Sequence, residues 1–328
     1  MFPSSWEVFE MSPDPITLAD VRAARERIAG TALRTPLIRL NVDDAPAEIY
    51  LKLENLQPIG SFKLRGAAAA ISRATPEQLA EGVYTCSAGN MAQGVAWNAR
   101  RLGIPSTAVV PDHAPETKLA AIARLGGKVI KVPFDEWWNV MVTHRFDGLN
   151  GFFVHPVSNP DVMAGNGTIG LEILEDLPDV DAIVVPYGGG GLSSGIATAV
   201  KALKPDTKVF AAEVETSAAF AGALAAGRPT TITYTPSFVD GIGSAGVLDD
   251  MWPIARSLLD GSLVQTLTDV ADAIRLLVER HRVIAEGAGA TSVAAALAGK
   301  AGGGKVVCVV SGGNIDIEKL TKILTHEL

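Results

Sequence analysis

Cysteine, basic residues and long apolar runs are all scarce in this sequence. Its 328 residues include 2 cysteines, at positions 86 and 308, and these make neither a disulfide framework nor a Cys-x-x-Cys metal motif. This favours a reducing compartment and predicts a cytoplasmic protein. Its 28 lysines and arginines are outnumbered by 36 aspartates and glutamates, so nucleic acid is excluded as an expected partner. Because no apolar run reaches membrane-spanning length and residues 1–15 lack the regions of a signal peptide, no membrane is expected either.

The composition is that of a well-packed globular protein. Apolar residues make up 48% of the chain and charged residues 20%, and a single core rarely serves more than about 250–300 residues, so two lobes are expected. Cys86 and Cys308 each lie inside an apolar run and are interpreted as core residues. Residues 1–15 precede the first helical pattern and are interpreted as a disordered extension, or for the first ten as a misassigned start.

Strand and helix patterns alternate along the chain and predict an α/β fold with parallel pairing through right-handed crossovers. Three strand–helix pairs in succession predict a small inserted domain over residues 82–155, and the remaining residues, 1–81 and 156–328, a discontinuous large domain. The predicted strands are 49–53, 83–86, 106–110, 129–132, 182–185, 209–212 and 305–310. The predicted helices are 18–29, 62–72, 91–102, 116–124, 137–143, 164–177, 192–203, 268–282, 289–299 and one from 317. Thr17 and Asp20 have the spacing of a capping box before the first helix, and Gly30 stands where a left-handed C-terminal cap is needed.

The first motif with chemical content is Gly-Ser-Phe-Lys-Leu-Arg-Gly at residues 60–66. Ser61 is expected to cap the helix that follows, which places Lys63 in the first helical turn. The positive end of the helix dipole lowers the pKa of an amine there and favours the neutral nucleophile. A lysine at a helix start is more often a solvated surface residue, so this motif indicates catalysis only together with others.

Two further motifs follow strands and offer backbone amides to an anion. Ser-Ala-Gly-Asn-Met-Ala-Gln-Gly at residues 87–94 suits a substrate carboxylate, although an ordinary strand–turn–helix explains it equally well. Four consecutive glycines, Gly188–Gly191, stand between a strand and a helix, and four favour a phosphate cradle where a plain turn needs one or two. Neither a Gly-x-Gly-x-x-Gly nor a Walker pattern is present here, which disfavours dinucleotides and nucleoside triphosphates.

The fourth motif, Ser-Gly-Gly-Asn at residues 311–314, ends an apolar strand. Ser311 either caps a helix or hydrogen-bonds a ring nitrogen of a cofactor lying across the strand ends, and the sequence leaves both alternatives open. The four motifs, in this order and spacing from residue 17 to 328, resemble the serine/threonine dehydratase family. That resemblance implies the fold type II pyridoxal-phosphate architecture, tryptophan synthase β-like, with two αβα lobes built on parallel or mixed sheets.

The resemblance also implies roles for individual residues. Lys63 is expected to join covalently to the aldehyde of pyridoxal 5'-phosphate, Phe62 to pack against its ring, Asn90 to contact its ring hydroxyl and Ser311 to face its pyridine nitrogen. Gly188, Gly189, Gly190, Gly191 and Leu192 are expected to bind its phosphate. The substrate is expected at Ser87, Ala88, Gly89, Asn90, Met91 and Gln93.

The implied reaction is a β-elimination by an ammonia-lyase, or dehydratase. Lys63 removes the Cα proton of serine, threonine or a 3-hydroxyaspartate-like amino acid, the β-hydroxyl leaves with a proton, and a 2-oxo acid and ammonia result. The resemblance assigns that proton to the cofactor phosphate, while Asp240 and Glu286 are the protein candidates. It also implies a homodimer.

The sequence departs from the family at three positions. Met91 replaces a histidine common in the family, which predicts a more apolar substrate pocket. Ala88 replaces the second serine of eukaryotic serine racemases and disfavours racemisation. Glu213 matches one acid of the family's divalent-cation site, but Ala219 replaces the other, so a cation is expected only as a weak alternative. No regulatory domain is expected after residue 328.

Three other functions remain open at this point. An amino-acid racemase of the serine racemase type is the first alternative, and a β-replacement synthase of the cysteine-synthase kind, which shares the fold, is the second. The third is a non-enzymatic pyridoxal-phosphate carrier with a decayed site.

Overall fold

A computed structural model describes residues 16–327 and contains ten strands and thirteen α-helices. The strands are β1 (Leu37–Arg39), β2 (Glu48–Leu53), β3 (Val83–Thr85), β4 (Ser106–Pro111), β5 (Lys128–Val132), β6 (Phe152–Phe153), β7 (Ala182–Pro186), β8 (Lys208–Val214), β9 (Ser262–Gln265) and β10 (Lys305–Val310). The helices are α1 (Leu18–Ile28), α2 (Lys63–Ile71), α3 (Pro76–Leu79), α4 (Asn90–Leu102), α5 (Glu116–Arg124), α6 (Phe134–Thr143), α7 (Pro160–Asp176), α8 (Gly191–Leu203), α9 (Ala219–Ala226), α10 (Trp252–Leu258), α11 (Leu267–Leu276), α12 (Gly287–Leu297) and α13 (Ile317–Leu324).

The strands form two sheets. The six-stranded sheet has the order β1-β2-β10-β7-β8-β9, in which only β1 runs antiparallel to its neighbour, and the four-stranded sheet has the all-parallel order β5-β4-β3-β6. We refer to the two sheets with their helices as the large lobe and the small lobe. The predicted α/β class is confirmed, and the boundaries at residues 82 and 155 stay a prediction.

The position of β10 decides how the motifs meet. This strand comes last in the sequence but lies between β2 and β7 in the middle of the six-stranded sheet. The carboxyl ends of neighbouring parallel strands share one edge of a sheet, which is where α/β proteins bind ligands. The segments that follow β2, β7 and β10, which carry three of the four motifs, therefore converge at one edge.

The central strands are buried on both faces, as parallel strands between helices must be. Along β10, Val307 and Val309 face one hydrophobic core and Cys308 faces the other. Both cysteines, Cys86 and Cys308, are fully buried, as predicted. None of the helices within residues 16–327 combines the length and apolar character needed to cross a bilayer.

The local signals at the chain's first elements are confirmed. The side chains of Thr17 and Asp20 form the capping box of α1, and Gly30 adopts a φ of 73° just after the helix. The predicted start of α7 was four residues late, because Asn159 and Pro160 were not used as start signals. The side chain of Asn159 caps the helix by accepting a hydrogen bond from the Val162 amide. The short elements β1, β6, β9, α3, α9 and α10 were not predicted.

Candidate active site

A cavity of about 1080 Å³ lies between the two lobes. It is lined by the segments that follow β2, β3, β7 and β10, so it brings together all four sequence motifs. A large concave cavity with convergent polar groups is the usual site of ligand binding. The residues from the motifs that line it are Phe62, Lys63, Ser87, Gly89, Asn90, Met91, Gln93, Gly188, Gly189, Gly190, Gly191, Leu192, Ser311 and Asn314.

Lys63 is the first residue of α2 and its amine is held within this cavity. The Nζ atom donates a hydrogen bond of 2.6 Å to the carbonyl oxygen of Pro156 and lies 5.1 Å from the centre of the Phe62 ring. Burial lowers the pKa of Lys63 to about 8, against the opposing effect of the Glu286 carboxylate. The expectation that Ser61 caps the helix was wrong, because Phe62 occupies the cap position and the Ser61 hydroxyl only accepts a 3.4 Å bond from the Lys63 amide.

The lowered pKa of Lys63 predicts an unusual labelling profile. At pH 8 about half of the Lys63 side chains are neutral, against about 0.3% for a lysine of ordinary pKa. We expect an amine-directed acylating reagent to label Lys63 in cofactor-free protein with a midpoint near pH 8, which peptide mass spectrometry can follow. A midpoint near 10.5 would contradict this, and exposed Lys131 serves as the internal reference.

The opposite side of α2 is anchored by a buried ion network of Lys52, Glu54, Arg65 and Glu172. The Arg65 guanidinium donates to Glu54 at 2.8 and 2.9 Å and to Glu172 at 2.6 and 2.9 Å, and Lys52 Nζ lies 2.6 Å from Glu172. Burial alone would raise the pKa of Glu54, but the charge and hydrogen bonds of Arg65 hold it below its ordinary value. The network therefore fixes the helix whose first residue is Lys63.

The tetraglycine turn leaves no room for side chains. A Cβ atom added to Gly189 would lie 2.6 Å from the Val157 side chain, and one added to Gly191 would lie 2.5 Å from the Val157 carbonyl oxygen. Gly190 has a φ of 91°, which favours glycine. The turn also forms the amino terminus of α8, where free amides attract anions. Its shape and polarity fit a phosphate group.

This close packing predicts a strong effect of one added methyl group. We expect Gly191→Ala to raise the dissociation constant of pyridoxal phosphate at least about tenfold, because the backbone of Val157 or the turn must move. Titration of cofactor-free protein, followed by absorbance, measures it. Gly303→Ala is the control, since a Cβ there meets no atom within 4 Å. Equal affinity of the two variants would contradict the prediction.

Asn90 joins the two lobes through side-chain hydrogen bonds. Its Nδ2 donates to Glu286 at 2.9 Å, and its Oδ1 accepts a 2.7 Å bond from Asn314, whose Nδ2 also donates to the Ile59 carbonyl. The role of Asn314 was missed in the sequence, although a carboxamide directly after a strand-ending Gly-Gly pair was the available signal. These contacts orient the Asn90 carboxamide at the start of α4.

Two carboxylates face the same cavity. Glu286 is buried, and burial together with repulsion from Asp240 raises its pKa to about 7, although Asn90, Lys118 and Lys63 act in the opposite direction. Asp240 forms ion pairs with Lys118 at 3.1 Å and Lys319 at 3.3 Å. A carboxyl group with a pKa near neutrality can exchange protons with a ligand.

Met91 and Ala88 are both packed against hydrophobic clusters. Met91 lines the cavity but is only 1% exposed, because its side chain packs with Val95 in a core cluster. Ala88 is outside the cavity lining and packs against a small cluster around Ala92.

Ser311 does not cap a helix. It is 2% exposed, its carbonyl accepts a 3.0 Å bond from the Phe62 amide, and α13 begins only after Asp316. The helix-cap alternative for this residue was therefore wrong. The other alternative, a contact with a cofactor ring nitrogen, fits a hydroxyl-bearing residue that lines the cavity beside Phe62.

Glu213 and Ala219 lie outside the cavity, and their surroundings do not fit a cation. Both Glu213 oxygens accept backbone bonds at the start of α9, from Phe220 at 2.7 Å and Ala221 at 2.8 Å, and Ser262 donates a further one. A divalent cation prefers several free oxygen ligands. Across residues 16–327 no group of three or more histidine, cysteine or acidic side chains is placed to hold a metal.

Comparison with known proteins assigns the chain to a family. Residues 28–312 match the family described as "Pyridoxal-phosphate dependent enzyme". The chain belongs to this family. An L-threonine ammonia-lyase of Thermotoga maritima is 41% identical over 318 residues, covering 95% of this chain and 79% of the relative. The L-threonine dehydratase catabolic TdcB of Escherichia coli strain K12 is 37% identical over 317 residues, covering 94% and 96%.

The solved structures agree with the fold. The structure of maize serine racemase superposes with a TM-score of 0.87 at 33% identity, covering 95% of this chain and 98% of the racemase. The resemblance to the serine/threonine dehydratases and the fold type II architecture are thereby confirmed. The family's cofactor fits the cavity described above, because the glycine turn accepts a phosphate and Lys63 supplies a buried amine.

Proposed function

We propose that this protein is a pyridoxal-phosphate-dependent ammonia-lyase that converts a small β-hydroxy amino acid to a 2-oxo acid and ammonia. The observation that carries the proposal is one cavity in which the buried Lys63 amine, with a pKa near 8, shares the space with a glycine turn that excludes side chains. The names of the two sequence relatives support the reaction class. Serine, threonine and 3-hydroxyaspartate are the candidate substrates.

The proposed cofactor contacts follow the cavity lining. Gly188–Gly191 and Leu192 hold the phosphate, Phe62 packs against the ring, Asn90 contacts the ring hydroxyl and Ser311 faces the pyridine nitrogen. Bound pyridoxal phosphate supplies an electron sink that acidifies the Cα–H bond of the substrate. A hydroxyl partner leaves the pyridine nitrogen largely unprotonated, and this weaker sink favours prompt loss of the β-substituent.

Lys63 handles the first proton in this proposal. Its amine donates a hydrogen bond to the Pro156 carbonyl while it is not joined to the cofactor. Once the substrate amine has released it from the cofactor, it would accept the Cα proton as general base. The substrate carboxylate binds at the start of α4, where Ser87, Gly89 and Gln93 line the cavity with Asn90.

The β-hydroxyl needs a proton to leave as water. The cofactor phosphate and the carboxyl groups of Glu286 and Asp240 are the candidates, and we favour Glu286 among the side chains because its pKa of about 7 keeps a protonated fraction at neutral pH. The released unsaturated amine then hydrolyses to the 2-oxo acid and ammonia.

Replacement of Glu286 by glutamine tests this assignment. A glutamine keeps the bond with Asn90 but cannot deliver the proton, so we expect kcat to fall by about 10²- to 10⁴-fold. The wild-type rate should decline as pH rises past about 7, where Glu286 loses its proton, and this decline should disappear in the variant. An unchanged kcat would exclude Glu286 and leave the cofactor phosphate and Asp240, which the variant Asp240→Asn would then separate.

A substrate panel tests the proposed function as a whole. L-Serine, L-threonine and 3-hydroxyaspartate are incubated separately with the cofactor-saturated enzyme, and 2-oxo acid and ammonia are measured. We expect equal amounts of both products from at least one of them. Absence of 2-oxo acid with every substrate would contradict an ammonia-lyase, and turnover only with an activated serine and sulfide would indicate a β-replacement synthase.

An amino-acid racemase is the second candidate, favoured by the superposition on maize serine racemase. Ala88 argues against it, because a methyl group cannot return a proton to the opposite face of Cα. Chiral chromatography of the same reactions separates the two functions. Formation of the D-isomer faster than release of 2-oxo acid would reverse our ranking.

We also propose that the enzyme works as a cytoplasmic homodimer without a divalent cation. The dimer and the compartment follow from the family resemblance and the scarcity of cysteine, and the absence of a cation requirement follows from the hydrogen bonds that occupy Glu213. Sedimentation velocity of the holoenzyme tests the dimer. Activity that is unchanged by a chelator tests the cation.

A further inference from the structure

The segment between β6 and α7 contacts both the Lys63 amine and the tetraglycine turn of the proposed site. The carbonyl of Pro156 accepts the hydrogen bond from Lys63 Nζ, and Val157 is the residue against which Gly189 and Gly191 are packed. Two consecutive residues therefore form the common support of the reactive amine and the phosphate turn. A backbone segment can serve this purpose only if its conformation is held.

The side chain of His155 holds this segment. Its Nδ1 atom accepts hydrogen bonds from the amides of Val157 at 3.2 Å and Ser158 at 2.8 Å, and lies 3.0 Å from the Ser158 hydroxyl. These bonds close a tight turn of the Asx type, in which the Nδ1 atom of His155 takes the place of the side-chain oxygen of an asparagine. The ring thus occupies the acceptor position that sets the direction of the Pro156 carbonyl.

The other ring nitrogen ties the turn to the small lobe. Nε2 lies 3.2 Å from the carbonyl oxygen of Met141 in α6. Because Nδ1 accepts amide protons, the single proton of the neutral ring is on Nε2, which donates to Met141. His144, just after α6, packs on the ring with centroids 4.3 Å apart.

The ring is built to stay neutral. His155 is 2% exposed, and burial, with the nearby His144 adding to it, lowers its pKa to about 3. It is absent from the cavity lining, whereas Pro156 and Val157 are part of it. His155 therefore acts through its neighbours and does not exchange a proton with a ligand.

We propose that His155 is a positioning residue that sets the Pro156–Ser158 backbone against which the lysine amine and the glycine turn are aligned. The inference rests on the proposed function, because it adds to the proposed site a residue that supports the cofactor-binding segments. Its consequence is that the binding of pyridoxal phosphate depends on a hydrogen-bond acceptor at the δ position of residue 155. Without that acceptor, the segment must be ordered when the phosphate binds, and affinity falls.

Two near-isosteric variants separate the role of Nδ1 as a hydrogen-bond acceptor from the role of Nε2 as a donor. His155→Asn places a carboxamide oxygen where Nδ1 stands and loses the donor to Met141. His155→Gln places an amide donor at the ε position and loses the acceptor for Val157 and Ser158. Both are uncharged and polar, so the comparison isolates the position of the acceptor.

The measurements are made on the full-length chain. Pyridoxal phosphate is titrated into cofactor-free protein, amide hydrogen exchange at Val157 and Ser158 is followed in the holoenzyme, and the pH midpoint of Lys63 labelling and the melting temperature are recorded. We expect His155→Gln to raise the dissociation constant of pyridoxal phosphate at least about tenfold and to speed exchange at both amides. We expect His155→Asn to stay within about threefold of wild type.

The outcomes are distinct. Affinity unchanged in His155→Gln, or affinity that falls equally in both variants in step with melting temperature, would overturn the positioning role. These measurements need no turnover. If no β-hydroxy amino acid yields 2-oxo acid while His155→Gln still weakens cofactor binding, the proposed function fails and the positioning role stands.

Discussion

Lys63→Ala is expected to abolish turnover, lowering kcat by at least about 10³-fold, because the one amine serves as both covalent anchor and general base. Lys63 Nζ is buried and has a pKa near 8, which suits both tasks at neutral pH. The 2-oxo acid assay measures the loss with whichever β-hydroxy amino acid the wild-type enzyme converts. The visible absorption of bound cofactor should disappear in the same variant.

Mass spectrometry of borohydride-treated protein gives an independent measurement. We expect one pyridoxyl adduct, on Lys63, in wild-type protein saturated with cofactor. Lys131→Ala, at a surface lysine whose ion pair within residues 16–327 is with Glu116, should keep both adduct and activity. An adduct on another lysine, or none, would refute the assignment of the site. Wild-type protein that carries the adduct but turns over no substrate would be a carrier.

Arg65→Met is expected to lower the free energy of unfolding by about 3–5 kcal/mol. Methionine fills a similar volume but leaves Glu54 and Glu172 as buried carboxylates, with Lys52 as the remaining cation of the network. Removing one partner from a buried ion network costs more than the network contributes, because uncompensated charges remain away from water. Urea denaturation of cofactor-free protein measures the change.

Arg34→Met is the matched control for this change. Arg34 also pairs with two carboxylates, Glu175 and Asp176, but its side chain is 51% exposed, so its loss should cost about 0–1 kcal/mol. A similar cost for the two variants would show that burial of the network contributes little. A large loss only in Arg65→Met would show that the buried carboxylates Glu54 and Glu172 require the charge of Arg65.

The variants Lys63→Ala and Arg65→Met change residues on opposite sides of the same helix, α2. Lys63 at the start of α2 faces the cavity, while Arg65 two residues later is enclosed by Glu54, which directly follows β2, and by Glu172 of α7. A helix that presents a reactive amine needs a rigid attachment behind it. Partial unfolding in Arg65→Met should therefore also release Lys63, and cofactor affinity and stability should fall together in that variant.

Local structure could be predicted from the sequence, because it depends on residues that are close together in the chain. The capping box of Thr17 and Asp20, the left-handed Gly30 and the strand–helix alternation all follow from short spacings. The four cavity-lining motifs could be found for the same reason, since each is a strand end followed by a turn. Short elements such as β1, with three residues, leave too weak a pattern to be read.

Only the tertiary structure decided which of these segments meet and what surrounds them. The bond from Asn90 to Glu286 joins residues 196 positions apart, one at the start of α4 and the other just before α12. The near-neutral pKa of Glu286 and the enclosure of Arg65 likewise arise from burial by distant elements. Burial and charge are properties of neighbours in space, so sequence spacing alone could propose Lys63 but not the environment that makes its amine reactive.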